Sequence, residues 1–382
     1  MLKSIEIRNF KSIKKKHFPL RNLNLLLGLN GMGKSTFIQS LLLLRQSNNL
    51  KQAELRLNGT YLQLGNTKDA LYQYSKNEDL SFFLEFDNNK AYSLEFDYQM
   101  ETDIFKLKSN KIDLNDFLNN IPNQSLLNDN FQYLNANRFE PTSIQNKNYT
   151  SVVTLNNVGM HGEFTAHFIE VHGNDDVLFD NLIHKDSKTI DAVTNTETVN
   201  RTLINQINLW MGEISPGVNV RTTSIPNTEN VLLEYVYKQP NFGNTNRFKP
   251  ANVGFGISYA LPIVTALLTA KSGELIIVEN PESHIHPRGQ AELGKLIALV
   301  SMNDVQVIIE SHSDHVLNGV RVAVKQYPKL IDNVIAFYFE KIVSESEQYS
   351  KITDIEINKD GELSEYPKNL LDEWSNQLIN LV

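Results

Sequence analysis

The stretch that decides the fold is Leu23-Asn24-Leu25-Leu26-Leu27-Gly28-Leu29-Asn30-Gly31-Met32-Gly33-Lys34-Ser35. A short run with buried-strand character ends in G-x-x-x-x-G-K-S, and an apolar helix follows from Thr36 through Leu44. Strand, glycine-rich loop and helix are the context in which this spacing cradles phosphate. Gly28, Gly31 and Gly33 let the backbone curl until successive N–H groups face one anion. The helix behind them directs the positive end of its dipole at the same place. Lys34 is then expected to reach β- and γ-phosphates, and the Ser35 hydroxyl to ligate Mg²⁺. The expected nucleotide-binding residues here are Asn30, Gly31, Gly33, Lys34, Ser35 and Thr36. ATP and Mg²⁺ are the expected cofactors.

A second set of chemistry-bearing residues lies far along the chain. Leu275 to Val278 is an apolar run of central-strand type, followed by Glu279-Asn280-Pro281-Glu282-Ser283-His284-Ile285-His286-Pro287. Carboxylates at the C-terminal end of such a strand lie where an α/β sheet presents ligands. Glu279 fits an acid that holds Mg²⁺ through water. A later strand, Val305 to Ile309, ends in Glu310-Ser311-His312, which puts His312 where it can contact a γ-phosphate and report its presence. His284 and His286 do not have a zinc spacing. They read instead as a loop on the far side of the nucleotide. Asn252 to Tyr259, with Gly254, Gly256 and Ser258, opens an apolar helix running to about Ala270. Two readings of it stand equal on these residues alone. It is a second anion-binding helix start, for a nucleotide held between two subunits, or it is a helix cap and nothing more.

Composition mainly excludes. The chain has 382 residues, 41% hydrophobic and 21% charged, with no cysteine and a formal net charge of −8. The length suits two or three domain-sized units, or one large domain with an insertion. Lack of cysteine removes disulfides, thiolate metal sites and Cys nucleophiles. The acidic balance argues against coating duplex DNA, since nonspecific affinity comes from Lys and Arg on phosphates. Lys11, Lys14, Lys15 and Lys16 read as a solvated loop sooner than as a DNA contact. Met1 to Ile7 alternates like a strand and carries no leader pattern, and no apolar run is long enough to cross a bilayer, so a cytoplasmic chain without a membrane partner is expected. Thr202 to Met211 reads as an amphipathic helix, and Val218 to Thr223 with Val231 to Tyr237 as a strand pair around Pro226-Asn227. After His315 a helix to about Gln326, two strands around the Asp360-Gly361 turn and a final helix from Pro367 are expected. Residues 1–98 then form the N-terminal part of one head, 99–200 an insertion without a long coiled coil, and 201–382 the C-terminal part.

In this order the motifs resemble the ATP-binding-cassette ATPase heads of the SMC and OLD kind. Within that group the chain looks most like stand-alone bacterial ATPases that carry a C-terminal domain of unknown function. The resemblance rests on Ile5 to Ser12 with the phosphate loop, Leu57-Asn58-Gly59 to Gly65, and Tyr133 to Pro141. It continues through Asn252 to Ser258, Glu279 to Gln290, Ser311 to Arg321 and Tyr366-Pro367. It implies an α/β fold, a two-lobed P-loop NTPase head with a mixed sheet, flanking helices and a mid-chain insertion. It further implies that Asn252 to Ser258 is the signature motif, binding the γ-phosphate of ATP on a partner subunit through Gly254, Gly256 and Ser258. Glu279 would be the Walker B acid, Ser283 to His286 the D-loop and His312 the switch histidine, with Arg138 in active-site or inter-lobe contacts.

Two positions depart from the family pattern. The signature reads G-F-G-I-S instead of L-S-G-G-Q, which weakens a transporter analogy. Asn280 stands where a Glu usually polarises the attacking water, and an amide cannot take that proton. Glu282 becomes the candidate base, and the expected catalytic set is Glu282, Glu279, His312 and Lys34. Slow hydrolysis, or an ATP-bound clamp that rarely turns over, follows. The implied function is an ATPase that dimerises, or assembles further, around ATP and signals to a separate effector such as a nuclease or other toxin, in antiphage defence. The alternative is a DNA-binding repair or end-sensing clamp of the SMC kind.

Overall fold

Strict alternation builds the first sheet. In Asp79–Phe86 the residues Leu80, Phe82, Leu84 and Phe86 are buried, and in Ala91–Asp97 so are Tyr92, Leu94 and Phe96. Apolar side chains every second residue line one face of a pleated strand, so each strand must bury that face. The computed structural model describes residues 1–47, 53–75, 79–108, 114–120, 123–190, 196–239, 243–371 and 378–379. The chain divides into two units, each described by itself. One comprises Met1–Phe131, Val334–Glu356 and Leu363–Val382, and the other Gln132–Asn333 with Ile357–Glu362.

In the first unit the antiparallel sheet runs in the order Ile13–Pro19, Leu2–Phe10, Asp79–Phe86, Ala91–Asp97, Ile104–Leu107 and Glu54–Arg56. The strand Leu23–Leu27, buried at all five positions, pairs in parallel with Val334–Val343. Val334–Val343 turns back through residues 344–347 and pairs antiparallel with Gln348–Ile355. Phe18, Phe37 and Phe337 close over this layer, with ring centroids 4.5 Å apart for Phe18–Phe37 and 5.3 Å for Phe18–Phe337. These contacts seat the helix Lys34–Gln46 on the strands that flank its loop. The terminal hairpin is therefore displaced from its expected place. At Asp360-Gly361 there is a tight turn, closed by Asn358 N–H donating to the Glu362 carbonyl at 2.9 Å, but both long strands end before it. Pro367 to Leu371 is extended and turned, and the rest of the expected final helix lies largely outside the described residues.

In the second unit the strands Leu275–Glu279 and Gln306–Glu310 are parallel and in register, so Glu279 stands beside Glu310 at their C-terminal ends. The helices that follow, Pro287–Val300 and Asp314–Gln326, cross at Gly294 and Gly319. A Cβ on Gly294 would strike the Val316 carbonyl, and one on Gly319 the Ala291 carbonyl. That close approach fixes both strand-end loops. Leu203–Ile214 is the expected amphipathic helix, burying Leu203, Ile207, Trp210 and Met211. Val218–Ser224 and Asn230–Gln239 form the expected antiparallel pair, with Asn227 at φ 59° in the connection.

Candidate functional site

Within the first unit the glycine-rich loop is held open by three left-handed glycines, Gly28 at φ 128°, Gly31 at 75° and Gly33 at 107°. Side chains are strained there, and at two of these positions there is also no room for one. A Cβ on Gly28 would strike the Phe339 carbonyl, and one on Gly33 would meet the hydroxyls of Ser350 and Ser12. Gly33 caps the helix Lys34–Gln46 without a side-chain hydrogen bond, and the positive end of the helix dipole faces the loop. Lys34 is 2% exposed, and its Nζ donates to the carbonyls of Gly28 and Leu29 at 2.8 Å each. The lysine thus folds back over the loop it belongs to, as a compact cation ringed by carbonyls. Ser35 is exposed on the first turn and Thr36 is buried. Asn30, Gly31, Gly33, Lys34, Ser35 and Thr36 accordingly lie together in one curled stretch of backbone at a helix start.

Ser350, from the C-terminal hairpin, fastens this loop. Its Oγ donates to the Met32 carbonyl at 2.6 Å and lies 2.8 Å from Ser12 Oγ, which is 3.3 Å from Thr36 Oγ1. A hydroxyl has one proton and a carbonyl only accepts. The Ser350 proton therefore goes to Met32, and Ser12 donates to Ser350. Neither serine's part is visible from the loop sequence.

Within the second unit the acidic residues are held by side chains from several stretches. Tyr133 Oη donates to Glu279 Oε1 at 2.9 Å, Ala136 N–H donates to Oε2 at 3.3 Å, and Arg138 Nη2 donates to the Glu279 carbonyl at 2.7 Å. Burial, reinforced by the Glu279 charge, pushes the Tyr133 phenol well above its usual range, so it stays a donor. Arg138 is 3% exposed, and burial pulls its guanidinium down to about 10 despite Glu279, which still leaves it charged at neutral pH. Glu282 Oε1 accepts from the His312 N–H at 2.8 Å and Oε2 from Ser311 Oγ at 2.9 Å. Glu279, Glu282 and His312 are thereby brought to one end of the parallel strand pair. Asn280 sits at φ 45° and His284 at φ 62°, conformations that asparagine and histidine tolerate better than most residues. His286 Nδ1 accepts from Arg288 N–H and caps the helix Pro287–Val300, a structural duty.

Gly254 begins the helix Phe255–Leu268, again with no side-chain cap. Gly256 lies so close to the His284 carbonyl that a Cβ would overlap it, which joins this helix start to the Ser283–His286 loop. Gly254 is exposed and Phe255 is 56% exposed, whereas the Ser258 Oγ is buried and turned inward. The helix start thus presents backbone and Phe255 outward, without that hydroxyl. The Asn58 side chain both donates to the Gly65 carbonyl at 2.9 Å and accepts its N–H at 3.0 Å, so the Leu57-Asn58-Gly59 to Gly65 motif closes a surface loop.

The glycine-rich loop between a buried strand and an uncapped helix is that of a P-loop nucleotide-binding fold, here of the ABC/SMC head type. The comparisons agree. Residues 23–318 match the family described as "AAA domain, putative AbiEii toxin, Type IV TA system", and the chain belongs to it. Residues 331–381 match "Protein of unknown function (DUF3696)". No curated protein matches the chain. An Smc head crystallised with the C-terminal winged-helix domain of ScpA is 14% identical, with a TM-score of 0.57 over 94% of this chain and 98% of that one. An Smc head with an extended coiled coil, bound to the C-terminal domain of ScpA derived from Pyrococcus furiosus, is 12% identical, with a TM-score of 0.50 over 100% and 99%. At such identities the likeness is one of fold.

Proposed function

We propose that this chain binds ATP with Mg²⁺, hydrolyses it slowly, and uses the bound nucleotide to pair with a second copy. The observation that carries this is the loop Gly28–Ser35, where left-handed glycines, an uncapped helix start and a buried lysine fall within eight consecutive residues. Phosphoryl transfer asks chiefly for positioning and charge stabilisation. The backbone N–H groups and Lys34 supply both for the β- and γ-phosphates. Ser35 and Glu279 are the residues proposed to hold the metal, Glu279 through water, and a hydroxyl with a carboxylate is an all-oxygen donor set of the kind Mg²⁺ takes. When bound, the ion neutralises charge on the phosphate oxygens.

Glu282 is the proposed proton acceptor, because Asn280 is an amide. Its two oxygens also bind Ser311 and His312, so the same carboxylate ties proton acceptance to the residue proposed to report the γ-phosphate. Gly254, Gly256 and the first-turn N–H groups of their helix are the proposed contact for nucleotide on a partner copy, with Phe255 packing beside them. With the Ser258 hydroxyl turned inward, its share in that contact falls to its backbone. Sizing of a Glu282→Gln variant with and without ATP tests the pairing. A nucleotide-driven doubling of mass is expected, and an unchanged monomer removes the proposal.

The proposed setting is the cytoplasm, in antiphage defence with a separate effector such as a nuclease or other toxin. Among the described residues no helix is long and apolar enough to cross a membrane. Phage challenge of cells carrying the gene and its neighbours, with wild type against Lys34→Ala, tests the defence role. Equal protection by both contradicts it. The DNA-clamp alternative has less support, because Lys14 pairs with Glu347 at 2.7 Å, Lys16 with Asp354 at 2.5 Å and Arg247 with Glu234 at 2.8 Å. Cations already matched by carboxylates attract phosphate weakly, and a salt titration showing no DNA affinity at low salt eliminates that alternative.

A further inference from the structure

A cavity of about 210 Å³ lies wholly within the second unit. That is about the space of seven waters, enough for one free amino acid. Its floor is apolar: Phe168 from the helix Thr165–His172, Val177, Leu203 and Leu268, all buried. Leu178 also lines it and is 62% exposed, so the cavity opens to solvent. Leu268 ends the helix Phe255–Leu268, about 20 Å along that helix from Gly254, and the cavity shares no residue with the proposed nucleotide contacts. Two charges accompany the apolar floor. Asp175 and Asp176 come from the loop after Thr165–His172, and Lys271 from the loop after Phe255–Leu268. The Asp175 carboxylate is spent, because His172 Nδ1 donates to it at 2.8 Å. Asp176 and Lys271 are both exposed, and among the described residues neither side-chain charge has a hydrogen-bond or ion-pair partner. Both stand on pinned backbone. Leu203 N–H donates to the Asp175 carbonyl at 2.8 Å and Val177 N–H to the Arg201 carbonyl at 3.0 Å, on either side of Asp176. Lys271 N–H donates to the buried Glu274 carboxylate at 2.9 Å.

An apolar floor with one uncommitted carboxylate and one uncommitted ammonium is complementary to a zwitterion with an apolar body. The carboxylate recruits an ammonium, the lysine recruits a carboxylate, and the floor takes the side chain. Burial of a leucine-sized body outweighs either exposed charge pair, so the body supplies affinity and the charges supply selection. We propose that this cavity binds a free α-amino acid with a medium-sized apolar side chain, its ammonium on Asp176 and its carboxylate on Lys271. The chain then senses a metabolite at a site of its own, whatever its nucleotide chemistry.

The full chain, without nucleotide, is titrated calorimetrically with leucine, 4-methylpentanoate, 3-methylbutylamine, glycine and N-acetyl-leucinamide. The second lacks the ammonium, the third lacks the carboxylate, and the last carries the side chain with neither charge. Leucine is expected to bind saturably, each one-charge analogue about five-fold more weakly, and glycine not at all. Asp176→Asn should remove the preference for leucine over 4-methylpentanoate, and Lys271→Gln that over 3-methylbutylamine, whereas Lys271→Arg keeps both. Both side chains are exposed, so these variants fold, and an unchanged melting temperature checks it. Absence of saturable binding by leucine, methionine and phenylalanine at millimolar concentration overturns the proposal, as does leucine binding that is unchanged in both Asp176→Asn and Lys271→Gln. Tighter binding of N-acetyl-leucinamide than of leucine also overturns it, and assigns the cavity to a side chain of a partner protein.

Discussion

The phosphate loop and the acidic strand ends do comparable work by opposite means. In the loop, backbone is the proposed binder: eight consecutive residues curl because three glycines can, and one lysine is the only charged side chain they carry. At the strand ends, side chains hold one another. Glu279 depends on Tyr133 and Ala136, and Glu282 on Ser311 and the His312 N–H. A backbone site is written in one contiguous stretch and fails when backbone space is taken. A side-chain site is dispersed and should degrade one hydrogen bond at a time.

The sharpest way to break the backbone half is Gly28→Ala. Its Cβ meets the Phe339 main-chain carbonyl at φ 128°, and backbone cannot step aside. A loss of about 3 kcal/mol of stability is expected by chemical denaturation, near the upper end for a forced backbone conformation. Gly33→Ala meets serine hydroxyls, which can rotate away, so the stability cost falls to about 1–2 kcal/mol while ATP affinity still drops at least about ten-fold. Equal stability loss in the two variants would mean that the neighbours' rigidity does not decide the outcome.

Tyr133→Phe probes the other half by removing one donor from Glu279. About 1 kcal/mol of stability and about ten-fold in hydrolysis rate are expected to go, with ATP affinity held within two-fold. A ten-fold loss of affinity instead would place Glu279 in ground-state binding. The smallest effect belongs to Glu274, buried at the start of the strand that ends in Glu279. Burial raises its carboxyl above the usual range, although the Lys271 N–H and Gln132 Nε2 both donate to it. A raised carboxyl contributes stability below its unfolded pKa and loses that contribution as pH rises through the folded one. Glu274→Gln should therefore raise the melting temperature by a degree or two at pH 7, on the order of 0.5 kcal/mol, and by nothing below about pH 4. Gln132 can flip to serve the new amide, since its Oε1 has no partner among the described residues. A melting gain that persists in acid would assign the effect to packing.

The same contrast explains what could be read from residues alone. Leu23 to Ser35 carries its signal in one contiguous stretch, so strand, loop and helix were legible together. The strands at Leu275 and Gln306 were legible because buried parallel strands are continuously apolar. The supports were not. Ser350 is 318 residues from the carbonyl it binds, and Tyr133 is 146 from Glu279. No local pattern carries such pairings. The C-terminal hairpin was misplaced for a related reason. Asp360-Gly361 has the stronger turn composition, but the hairpin turns at Ser344–Glu347, where the Ser344 N–H donates to the Glu347 carbonyl at 2.9 Å and its Oγ does so at 3.0 Å. Side-chain closure substituted for glycine. Burial of the Ser258 hydroxyl could not be anticipated either, since helical phase says which way a residue faces only once the partner surface is known.

ATP binding and turnover, measured side by side on wild type, Lys34→Ala and Glu279→Gln with Mg²⁺ present, test the central claim most directly. Wild type should bind and slowly hydrolyse ATP, Lys34→Ala should lose binding by at least about a hundred-fold, and Glu279→Gln should bind but not turn over. Wild-type affinity in Lys34→Ala would contradict the account.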